Sequence, residues 1–107
     1  TRRMKEVKWH GSSRSDVEAF PKDARREAGY QLVQVQIGEE PSDWKPMTSV
    51  GPSVREIRIR QASGAYRIIY VATIGDAVHV LHAFQKKTQA TAKRDIDLAK
   101  ARLRQIR

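Results

Sequence analysis

The sequence contains no cysteine. Disulfides and thiolate zinc sites are thereby excluded, and a reducing cytoplasm is the expected compartment. No apolar run approaches the roughly 18 residues that a membrane helix needs, and no secretory signal is read at the start of the chain. There are only three histidines, and His, Asp and Glu nowhere fall at metal-ligand spacing. A glycine-rich phosphate loop, a nucleophile elbow and a Ser/His/Asp constellation are also missing. No metal and no cofactor are therefore expected.

What remains is positive charge. The 107 residues, read as one domain over 1–107, carry a net charge of +9, with 31% charged and 39% hydrophobic residues. That balance suits a globular domain rather than a disordered one. Residues 1–52 hold nine Lys/Arg against eight Asp/Glu, whereas residues 53–107 hold twelve against four. Basicity concentrated in one half is what a nucleic-acid footprint requires. A solvated basic face, or one that meets an acidic protein, would have the same composition.

"MKEVKWH" (4–10) alternates as an edge strand does. "GSSRSD" follows as a loop, in which Ser13 or Ser15 is placed to cap a helix with Asp16 and Glu18 in its first turn. Val17, Phe20, Ala24, Ala28, Leu32 and Val35 recur at helical spacing. Pro21 divides that stretch into a short helix and a longer one, which Gly38 ends. Residues 39–52 hold three of the four prolines and read as an irregular connection anchored by Trp44. Strands are expected over 54–60, 65–73 and 77–84, joined by hairpin-length turns and so antiparallel. A last helix, capped by Thr91 or Thr88, runs to about Ile106 with Ile96, Ala99, Leu103 and Ile106 on one face. The order β-α-α-β-β-β-α predicts an α+β fold, a small antiparallel sheet with helices on one face.

Strand alternation puts Arg58 and Arg60 on one face. Arg67 lies among apolar residues, where a guanidinium needs either a partner or an opening. Glu56 is the candidate partner, and a phosphate is the candidate ligand for the planar fork. His82 and Phe84 share a face at the end of the last strand, and Lys86 and Lys87 follow at once. Histidine titrates near neutrality and serves as an acid or base, although a strand histidine is more often structural. Phe84 is placed either to stack on a nucleobase or to fill the core. Without a metal, RNA cleavage would use the 2′-hydroxyl as internal nucleophile, with the protein moving protons and stabilising charge on the phosphorane. A non-catalytic RNA-binding patch would look the same in sequence.

The stretch "VREIRIRQASGAYRIIYVATIGDAVHVLHAFQKKTQAT" resembles the HigB-like, phage-derived branch of the RelE/ParE toxin superfamily. "YRIIY" followed at this distance by "LHAFQKKTQAT" carries the likeness. The resemblance implies a RelE-like fold and a toxin of a type II toxin–antitoxin system, a metal-independent mRNA endoribonuclease acting at the ribosome. A cognate helix-turn-helix antitoxin, mRNA and the ribosome are the implied partners. It assigns Arg67 to charge stabilisation at the scissile phosphate, Lys86 and Lys87 to phosphate holding, and Arg58 and His82 to catalysis. Arg60, Phe84, Lys93 and Arg94 are assigned to RNA binding. A tyrosine common near the start of the last helix is replaced here by Ala92, Lys93 and Arg94, which leaves proton transfer unassigned. A ParE-like gyrase inhibitor, which binds a protein and cleaves nothing, is the alternative the superfamily offers.

Overall fold

The computed structural model describes residues 3–106. Among them, β1 spans Glu6–Trp9, α1 Ser13–Glu18, α2 Lys22–Gln36, β2 Trp44–Pro46, β3 Val54–Gln61, β4 Gly64–Val71, β5 Ala77–Lys86 and α3 Lys93–Arg104. The strands form one sheet in the order β1-β5-β4-β3-β2. The class is α+β and the architecture agrees with the RelE-like expectation. No helix among the described residues is long and apolar enough to cross a membrane.

The two central hairpins form as their alternation predicts. β3 pairs antiparallel with β4, and β4 with β5. Three points depart from the sequence reading. β1 is an edge strand as expected, but it runs parallel to β5, with Glu6 opposite Ala77 and Trp9 opposite Val80. The sheet is therefore mixed, because 67 residues and a helix pair separate β1 from its partner strand. The 39–52 connection also contains β2, in which Trp44 faces Ile57 and lies under the Arg55 guanidinium at 3.9 Å. Pro46 is tolerated there because β2 is an edge strand.

The third departure concerns the helices, which cover both faces of the sheet. Val17, Phe20, Ala24, Ala28, Leu32 and Val35 bury themselves against Ile57, Ile59, Tyr66, Ile68, Val78 and Val80. On the other face Ile96, Ala99 and Leu103 of α3, with Ile106 just beyond it, meet Val54, Ile69, Val71 and Leu81. Both sets of alternate strand residues are apolar, so each face needs a cover. A break in β4–β5 register, at which Ile69 pairs with His82 and Tyr70 with Val80, leaves Leu81 as an extra residue. This bulge turns Leu81 and His82 together toward α3, where Leu81 joins the apolar cluster and His82 meets Asp95.

Helix ends follow local chemistry. Pro21 precedes α2 as its N-cap, and Gly38, with φ of 89°, ends the helix by donating its N–H to the Val35 carbonyl. Ser12 rather than Ser13 or Ser15 occupies the cap of α1, and Ser13 is buried, donating to the Val80 carbonyl. Ala92 caps α3, so neither Thr88 nor Thr91 does. Their hydroxyls are engaged elsewhere, Thr88 with the Ala90 carbonyl and Thr91 with Glu56.

Candidate RNA-binding pocket

Strand register decides which side chains meet. On the α3 face three rows cross β3, β4 and β5: Glu56–Ile69–His82, Arg58–Arg67–Phe84 and Arg60–Ala65–Lys86. The face is apolar beside α3 and cationic beyond its N-terminus. There Arg58, Arg60, Arg67, Lys86 and Lys87 line one open pocket of about 480 Å³, closed on one side by Thr88 and Gln89. Five cations converging from three strands and a loop make a site for an anion larger than a single ion.

Arg67 is the most constrained of the five. Its side chain is 7% exposed. Nη1 donates to the Tyr66 carbonyl at 3.0 Å, and Nε lies 3.5 Å from Glu56 Oε1. Burial pushes the guanidinium below its ordinary pKa and the charges of Arg58 and Arg60 add to that, against the opposing pull of Glu56. An arginine stays protonated under such pressure, so the pocket has a permanent charge at its floor. Glu56 is fully buried, and a buried carboxylate needs partners. It has three: Arg67, Lys45 Nζ at 3.8 Å and the Thr91 hydroxyl, which donates to Oε2 at 2.8 Å.

Lys86 pairs with Ala65 across β4–β5, one row beyond Arg67. Its ammonium is held below the usual lysine pKa by desolvation first and by the Arg67 charge second. A lysine so destabilised releases its proton more readily than a free one. Arg58 carries a counter-charge at the rim, with Nε 3.8 Å from Asp43 Oδ1.

The other residues expected at the site lie around the pocket rather than in it. His82 is 6% exposed, and its Nε2 is 2.7 Å from Asp95 Oδ1, which ties β5 to α3. It does not line this pocket; with Phe84 it borders a separate cleft of about 330 Å³ beside α1. Its ring stacks on Phe84 with centroids 4.9 Å apart, and Phe84 is half-buried. Phe84 and Arg94 border a smaller adjoining cleft of about 100 Å³ that shares Lys86 and Lys87 with the main pocket. Lys93 is turned along its own helix to Asp97 at 2.6 Å and lines neither cavity. Lys45 and Thr91 escaped the sequence reading as site residues. Lys45 was concealed in a proline-rich connection, and Thr91 looked like a helix cap.

Fold and pocket together define a small α+β protein with a concentrated cationic face, built on RelE-like lines. The phage-derived protein Gp49-like family matches residues 15–104, and the chain belongs to that family, one of RelE/HigB-like toxins. No curated protein matches the chain.

Proposed function

We propose that the chain is the toxin of a type II toxin–antitoxin pair and acts as a metal-independent endoribonuclease on translated mRNA. The convergence of Arg58, Arg60, Arg67, Lys86 and Lys87 on one pocket carries this proposal. Membership of a RelE/HigB-like toxin family supports it. In the proposed reaction the ribose 2′-oxygen attacks the neighbouring phosphorus and the bond to the 5′-oxygen breaks. A 2′,3′-cyclic phosphate and a 5′-hydroxyl end result. Arg67 and Lys87 neutralise the charge that builds on the phosphoryl oxygens. Lys86, in its neutral form, takes the 2′-hydroxyl proton and returns it to the departing 5′-oxygen, so protons balance over the cycle. The pocket is open and shallow, which suits a single strand held in extended form, as on the ribosome. A cognate helix-turn-helix antitoxin and a cytoplasmic setting complete the proposal.

Expression of the chain in growing cells tests it. Growth arrest is expected, with primer extension revealing cuts inside translated codons. Arg67→Ala should abolish both, since losing a preorganised charge at a phosphoryl centre costs about 100- to 1000-fold in rate. Intact mRNA together with gyrase-dependent DNA breaks would favour the protein-binding alternative.

A further inference from the structure

Glu56 is fully buried beside Arg67, outside the pocket lining, and its contacts differ in kind. Oε1 is 3.5 Å from Arg67 Nε and 3.8 Å from Lys45 Nζ. Neither Oε1 nor Arg67 Nε takes part in a hydrogen bond among the described residues. At those separations the attraction is electrostatic rather than a directional hydrogen bond, so where the Glu56 carboxylate sits decides where that attraction pulls the Arg67 guanidinium. The short, directional contact is on the other oxygen, where Thr91 donates at 2.8 Å. Thr91 belongs to the segment between β5 and α3 that also carries Lys87, Thr88 and Gln89. Its hydroxyl is not needed by the helix, since α3 begins after Ala92 without a side-chain cap.

We propose that Thr91 is a positioning residue: by orienting the Glu56 carboxylate it sets the Arg67 guanidinium, and the same hydrogen bond draws the lysine-bearing loop over the pocket. One bond thus bears on both the floor of the phosphate site, which comes from β4, and its wall, which comes from the loop. Arg67 Nη1 is anchored separately on the Tyr66 carbonyl, and Glu56 sets the freedom that this bond leaves to the fork. The ligand this serves is a phosphodiester, whose bridging geometry needs Arg67 and the lysines in register. α3 does not depend on the bond, because His82–Asp95 and the burial of Ile96, Ala99 and Leu103 hold it independently. Removing the hydroxyl therefore takes one partner from Glu56 but leaves α3 docked. The inference rests on the nuclease proposal only for its cleavage arm.

The test uses the full chain as parent, Thr91→Val and Thr91→Ser. The Nε–Hε magnetic resonance signal of Arg67, assigned by its loss in Arg67→Lys, is followed with and without inorganic phosphate, and RNA cleavage is measured on the same proteins. Thr91→Val is expected to shift the Arg67 signal and to weaken phosphate binding about tenfold, the scale of a hydrogen bond to a charged group. Its kcat should fall by a similar factor, while KM for a long RNA changes by less than about twofold. Thr91→Ser should restore all three. A Thr91→Val protein with the parental Arg67 signal and phosphate affinity overturns the inference, as does a serine variant that behaves like valine. A parent that binds phosphate but leaves RNA intact removes the nuclease proposal, and the resonance and phosphate measurements still decide the role of Thr91.

Discussion

A guanidinium with 7% of its surface exposed, yet lining an open pocket, is held by its surroundings rather than by solvent. Arg67 was recognisable from sequence because charge amid "YRIIY" needs an explanation, and Glu56 was recognisable as its counter-charge. Lys45 and Thr91 were not, since their importance depends on distances across the sheet that no local pattern encodes. The engagement of His82 was hidden for a related reason. A histidine two residues from a stacking phenylalanine looks available until a helix carboxylate engages it. Lys86 is the pocket group proposed here to titrate, and its pH dependence has a definite sign. Its folded pKa lies below the ordinary lysine value, so the neutral amine appears at lower pH than in a free lysine. If that amine accepts the 2′-hydroxyl proton, kcat/KM rises through the neutral-to-alkaline range and levels off before a normal lysine would titrate. Lys86→Ala should flatten the profile as well as lower it. An unchanged slope in that variant would assign proton transfer to another group.

At the scale of elements, periodicity identified α2, α3 and the three long strands, because each buries a regular stripe. It failed where identity depends on the partner. β2 is three residues with a proline, too short for any period to register. The parallel pairing of β1 and the placement of α3 on the far face are choices between equally amphipathic alternatives. The β5 bulge is likewise invisible, although it is what brings both Leu81 and His82 to α3. The β1–α1 junction is a further case. Gly11 has φ of 57°, and a Cβ there would collide with the Arg102 guanidinium at Nε. Arg102 has little freedom to retreat, since it donates to the Leu81 carbonyl at 2.9 Å and to Ser12 Oγ at 3.2 Å. Gly11→Ala should destabilise the fold by about 1–3 kcal/mol, the usual cost of forcing a side chain into left-handed backbone. Urea unfolding measures it, and a change under half a kilocalorie would mean that Arg102 is not a fixed clamp.

For the whole molecule, the asymmetry of charge has a structural cause. Strands β3 to β5 and the loop after them supply the pocket, and these lie in the half with twelve Lys/Arg against four Asp/Glu. The N-terminal helices bury one face of the sheet and contribute no pocket residue. A division of labour follows, in which the N-terminal helices cover one face of the sheet and the second half carries both the central strands and the cluster of cations. Charge composition made that division legible, whereas convergence into a single pocket required the register of three strands. The central claim is that this pocket breaks a phosphodiester by means of the chain's own cations. The most direct measurement incubates purified protein with end-labelled single-stranded mRNA, alone and on translating ribosomes, in excess chelator, and identifies the product ends. Cleavage that yields 2′,3′-cyclic phosphate and 5′-hydroxyl ends, and that is lost in Arg67→Ala, is the predicted result. RNA that is bound but left whole under both conditions, or cut equally well by Arg67→Ala, would contradict it.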